Sequence, residues 1–256
     1  MSIIDNNIKY TEQLYNILLY SQNKCSTYLS ENIIVKELLF ISFIIFFFDN
    51  LFCFIFGKKA RWFQLHCLIN IIVTIDIIPD IIDFIINPNE GYKLLTSNTS
   101  SYYILIVHLY HIFMFKNLNL IDYFHHILFI GFGVVPTLYF VNSNQIYLGY
   151  IVCNGIPGII EYGSLTLVKH NLLSIYNQKK LNTILYIFLR LPMCIFGSTM
   201  NLVAYKNGLI SDTLVVTLYM NCLLYFNGCF FTILTCDSFF KLKYSDQIIN
   251  IKNKRD

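Results

Sequence analysis

Long runs of apolar residues, broken by short polar stretches, repeat along most of the chain. A run of about 20 predominantly apolar residues is what an α-helix needs to cross the hydrocarbon core of a bilayer. On that basis spans are expected at about 35–57, 63–86, 102–115, 123–141, 146–168, 183–204 and 209–235. The third is short. The predicted fold class is all-α: a polytopic transmembrane helical bundle of about seven spans. Residues 1–34 are expected as a tail with a short amphipathic helix at the interface, 35–235 as the membrane domain, and 236–256 as a basic cytosolic tail.

Polar residues inside the apolar runs are few, and each is costly in a bilayer unless it faces other protein or a wet cavity. Asp49 and Asn50 interrupt the first run and are expected to face protein. The second carries His66, Asn70, Asp76, Asp80 and Asp83 within one arc of roughly 140° at helical spacing, and Pro79 kinks it. The third and fourth runs hold four of the six histidines, His108, His111, His125 and His126, with Lys116 and Asp122 between them. Their link is so short that the two spans must be antiparallel neighbours. The fifth contains Asn154-Gly155-Ile156-Pro157-Gly158 and then Glu161, a pattern of a broken or closely packed helix. The sixth contains Arg190 and Pro192. Glu161 and Arg190 are read as a buried ion pair, or with Arg190 as an anchor for a lipid phosphate.

Composition supports the membrane assignment: 56% hydrophobic residues against 13% charged, about half the charge of a soluble domain. A net charge of +3 is too small to argue for nucleic acid, and the bases lie between spans. Loops one and five and the tail are basic and loop three carries Lys116, an alternation that places the N-terminus in the lumen and the C-terminus in the cytosol. The Asn98-Thr99-Ser100 sequon then lies on the lumenal side. Lysines at 254 and 252, three and five places from the end, look like the dibasic coat-protein signal that returns membrane proteins to the endoplasmic reticulum. The eight cysteines form no CxxC pair and read as small buried hydrophobes.

Arg61-Trp62-Phe63-Gln64-Leu65-His66, with Asn70 four residues on, resembles the early signature of the TLC-domain family. The later His-rich span, with His125-His126 after Asp122, is similar as well. The resemblance covers about residues 60–235. It implies a TLC-like core and a lipid-linked role in the endoplasmic reticulum or a derived membrane, among a family that includes ceramide synthases. The segment before the histidine pair is only Asp122-Tyr123-Phe124, shorter than the acidic, aromatic-rich stretch of ceramide synthases, and no second acidic pair follows. Lipid binding, lipid homeostasis or membrane organisation without a cofactor is therefore the first expectation. His66, Asn70, Asp76, Asp80, His108, His111, Glu161 and Arg190 would then line a lipid cavity.

Two enzyme readings stand beside it. In an N-acyltransferase, His125 or His126 removes a proton from a sphingoid amine that attacks acyl-CoA, Asp122 orients a ring, and Lys116 meets a phosphate of the CoA. In a metal-dependent lipid hydrolase, His108, His111, His125 and His126 hold zinc, with Asp76 or Asp80 as a carboxylate ligand.

Overall fold

Seven helices follow one another in the computed structural model, which describes residues 33–95, 97–115 and 118–252, with side chains over 34–245. They are α1 (Ile33–Phe56), α2 (Arg61–Ile86), α3 (Thr99–Met114), α4 (Leu120–Phe140), α5 (Ile146–Lys169), α6 (Ile175–Lys206) and α7 (Leu214–Lys252). No strand forms among the described residues; Leu94 and Ser143 make one isolated antiparallel bridge. The expected interfacial helix of the first 34 residues falls almost wholly outside the described part. So do Lys116, Lys254 and the side chain of Lys252.

Five helices are long and apolar enough to cross a membrane: α1 from Ile34, α4, α5, α6 and α7 as far as Ser245. The sequence predicted seven. The helix α3 has 16 residues, about 24 Å at 1.5 Å per residue, which falls short of a hydrocarbon core about 30 Å thick. The other, α2, buries one face in the bundle and leaves Ile75, Ile85 and Ile86 exposed on the other. Leu65, Ile69, Val73 and Ile77, one stripe at i, i+4 spacing, are fully buried. The α2 helix packs against α1, α3 and α5. By contrast α1 buries Ile41, Ile45 and Asp49 and exposes Phe40, Phe43, Phe46, Phe47 and Phe54. So large an apolar surface in one place suits lipid rather than water.

Local sequence sets the helix ends. Gly57 takes a left-handed φ of 75° and its N–H closes on the Cys53 carbonyl, ending α1. Asn119 and Asp122 form a capping box that starts α4, and the Ser174 hydroxyl caps α6 by accepting from the Asn177 N–H. Asn50 corrects one expectation. It is exposed, and its amide donates to the Phe46 carbonyl one turn back, which satisfies a polar group on the outer face without a partner helix. Asp49 does face protein.

Three helices contain a π-helical stretch: His126–Val134 in α4, Ile151–Gly155 in α5 and Tyr186–Arg190 in α6. A proline stands two residues past each, at Pro136, Pro157 and Pro192. Proline has no N–H to donate and its ring crowds the carbonyl four residues back. The ladder just ahead of each proline is therefore wider by one residue, the geometry of a π turn.

At the end of the bundle opposite the histidines, three loops are tied together. Asp212, buried between α6 and α7, accepts from the N–H of Asn142 (2.6 Å), the N–H and hydroxyl of Ser143 (3.1 and 2.5 Å) and the amide of Gln145 (2.7 Å). Asn144 donates to Asp80 (2.7 Å) and to the Gly91 carbonyl (2.9 Å), and accepts from the Lys93 N–H (2.9 Å). These bonds satisfy most of the buried polar groups of the turns, while Asn142 Oδ1 and Gln145 Oε1 stay buried without a partner.

Candidate functional site

Five imidazoles converge near the other end of the bundle: His66 from α2, His108 and His111 from α3, His125 and His126 from α4. His108 and His111 are one turn apart on α3, so both rings face α4. They form two bonded pairs. His108 Nε2 lies 3.1 Å from His125 Nε2, and His126 Nε2 lies 3.2 Å from His111 Nδ1. His108 Nδ1 sits 2.6 Å from the Ile104 carbonyl, which can only accept, so that nitrogen carries the proton. Trp62 stacks on His111 at 3.4 Å between ring centres, and Tyr162 stacks on His66 at 4.4 Å. Both nitrogens of His66, and Nδ1 of His125 and of His126, are buried without a hydrogen-bond partner. Among the described residues no three His, Cys, Asp or Glu side chains gather as one group of metal ligands.

A cavity opens beside this cluster. Ile104, Phe129, Ile130, Val134 and Leu224 wall it, and Gly133 and Gly149 leave it width. His125 and Arg190 line it together with Asn227, and Gln145, Thr137 and Tyr150 line it as well. Each π-helical stretch contributes to the lining: Phe129 and Ile130 from α4, Cys153 and Asn154 from α5, Arg190 from α6. A π turn displaces the helix wall and re-aims side chains, which is why such turns collect at sites.

Arg190 is 5% exposed. Its Nη1 donates to the Tyr186 hydroxyl (2.7 Å), which donates in turn to Glu161, and its Nη2 donates to Asn227 (2.8 Å). Glu161 Oε2 is 3.8 Å from Nη1, so the ion pair expected from the sequence is present and is mediated by a tyrosine. The guanidinium also lies 5.0 Å from the centre of the Phe231 ring, whose centre is 5.6 Å from that of His125. His125 and Arg190 thus both neighbour one aromatic ring. The Nε of Arg190 is buried without a partner.

Several predicted site residues stand elsewhere. Asp76 accepts from the Ser100 hydroxyl, Asp80 from Asn144, and Asp83 pairs with Lys93. Asp80 and Asp83 serve the tied loops, and Asp76 the first turn of α3. They share an arc of α2 with His66, but Asp80 is 14 residues away, about 21 Å along the axis. Asn70 packs against Gly158 and not into the cavity. Asp122 spends a carboxylate oxygen on the N–H of Asn119 (3.0 Å), in the capping box, and not on a histidine ring. Asn98 is half-buried at the start of α3, with Ser100 of its sequon engaged by Asp76. Lys93, outside the spans, has its ammonium pKa raised by the hydrogen bond to Asp83.

Residues the sequence did not single out complete the site: Tyr162, Tyr186, Gln145, Asn201, Asn227 and Phe231. One signal was available for the cavity as a whole, three of the four helix-interior prolines, at 136, 157 and 192. A second ion pair, Arg61 with the buried Asp49, is braced by a hydrogen bond from the Tyr110 hydroxyl to Asp49.

Fold and site define an all-helical chain, five of whose helices are long and apolar enough to cross a membrane, with a cavity lined by apolar and polar side chains. Compared with models of known families, with curated proteins and with solved structures, the chain matches none.

Proposed function

We propose that the chain is a lipid-binding membrane protein of the TLC type, acting in lipid homeostasis or membrane organisation in the endoplasmic reticulum or a derived membrane. The cavity carries this proposal. Its walls are aliphatic and aromatic, and its polar groups collect at few places, which is how a site for one apolar chain is built. In this proposal all seven helices sit in the membrane, the short α3 packed against α1 and α2, with the N-terminus lumenal and the basic tail cytosolic. The lysines at 252 and 254 would then be open to coat proteins. Mass spectrometry of the intact protein released from mild detergent tests the central point. A lipid should co-purify with the native chain and be lost from Gly149→Leu, whose added side chain grows into the cavity. A native chain that carries no lipid would remove the proposal.

One observation favours a second reading, an N-acyltransferase. With one proton on each ring, His108 accepts from His125 Nε2, so His125 Nδ1 keeps a lone pair beside the cavity. That nitrogen could take a proton from an amine as the amine attacks an acyl-CoA thioester. Acyl transfer from acyl-CoA to a sphingoid base by the purified protein, abolished in His125→Ala, would establish it; no transfer by the native protein would dismiss it.

A further inference from the structure

Given the lipid-binding role proposed above, the two unpartnered groups beside Phe231 specify the polar end of the ligand. The first is an acceptor. The Ile104 carbonyl fixes the proton of His108 on Nδ1, His108 Nε2 then accepts from His125 Nε2, and the lone pair of that histidine is left on Nδ1. The second is a donor, the Nε–H of Arg190, whose two terminal nitrogens are committed to Tyr186 and Asn227. Both atoms are buried and without partner, and both residues line the cavity. A buried donor or acceptor left open is costly, and a single group able both to donate and to accept matches the two.

We infer that this end of the cavity takes the hydroxyl of a long-chain alcohol, which donates to His125 Nδ1 and accepts from Arg190 Nε–H. An ammonium head has no lone pair for Arg190. A carboxylate has no proton for His125, and it would add a negative charge where Glu161 already balances Arg190 at 3.8 Å. A hydroxyl is neutral and offers one of each. His108 is the positioning residue: it holds the tautomer of His125 without lining the cavity itself. A water molecule meets the same pair of atoms, but a water-filled end would not tell an alcohol from its ether.

The test is binding of tritiated hexadecan-1-ol to the full chain in detergent micelles, with unlabelled hexadecan-1-ol, hexadecyl methyl ether and hexadecanoic acid as competitors. The ether keeps the acceptor and lacks the proton. The alcohol should compete about tenfold to hundredfold better than the ether, the range for one buried hydrogen bond lost. Hexadecanoate should compete less well than the alcohol at neutral pH. His125→Phe should erase the preference for alcohol over ether and retain chain binding, and His108→Phe should weaken it. Equal competition by alcohol and ether in the native protein overturns the hydroxyl assignment, whatever the variants do. If Gly149→Leu still abolishes binding of both, the cavity remains a lipid site and only the head-group assignment falls. If Gly149→Leu leaves binding unchanged, the lipid site itself falls with it.

Discussion

Replacing Asp212 by alanine should unlock the tied loops. Its carboxylate accepts four hydrogen bonds, two of them from backbone N–H groups of Asn142 and Ser143. Hydrogen bonds to a charged group contribute about 1.5–3 kcal/mol each, and such values do not add within one network. Water reaches part of the loop end once the carboxylate is gone, so the orphaned donors recover some solvation. A loss of about 3–5 kcal/mol follows, near the upper limit of single substitutions. Asp212→Asn keeps one acceptor oxygen but turns an amide N–H₂ toward donors, and should lose about 1–3 kcal/mol. Unfolding in detergent by titration with sodium dodecyl sulfate gives the two free energies. Hydrogen exchange adds the local signature, because the amides of Asn142 and Ser143 should lose protection ahead of the helices. An alanine variant within 1 kcal/mol of the native protein, with both amides still protected, would refute this account.

Three other outcomes follow from single sites. In Gly228→Ala the new Cβ would lie 2.7 Å from Cys194 Cβ, so α6 and α7 must part at a cost of about 1–3 kcal/mol, while Gly163→Ala, with nothing nearer than Cys67 Sγ at 3.8 Å, should be tolerated; thermal unfolding in detergent compares them. Arg61→Ala strands the buried Asp49 carboxylate and should destabilise by about 3–5 kcal/mol, whereas Arg61→Met with Asp49→Leu should recover most of that, and a double-mutant cycle in the same unfolding assay reads the coupling. Lys93→Ala removes an exposed pair with Asp83 and should leave the unfolding midpoint unchanged at moderate salt.

What the sequence could reveal depended on the kind of signal. The histidines and the pair of Glu161 and Arg190 stood out because ionisable groups are rare in apolar runs. The aromatic and amide residues of the site did not, since 19 tyrosines and 23 phenylalanines make any single ring unremarkable. Periodicity reports the angle of a residue around a helix and nothing of its partner at that height. Asp76 and Asp80 therefore shared an arc with His66 and belong to the opposite end of the bundle. Helix ends were misplaced where charge was taken as the limit. The α6 helix begins at Ile175, well before the apolar run, because Gln178, Asn182 and Thr183 are buried by neighbours. Likewise α7 continues to Lys252, since leaving the hydrocarbon does not end a helix whose residues favour one. Asp212 went unnoticed because a carboxylate in a turn is ordinary until its donors are known.

The three π-helical stretches separate chain length from helix phase. Deleting one residue from an ordinary α-helix turns everything beyond it by about 100° and moves it by about 1.5 Å. Within a π turn the same deletion only restores the narrower ladder. The segments at 126–134, 151–155 and 186–190 are thus the places where this bundle can lose a residue and stay a bundle. What it would lose there is the shape of the cavity wall. The walls at Phe129, Cys153 and Arg190 are therefore free to change shape without a change of fold, and selection for a different occupant has three separate positions on which to act.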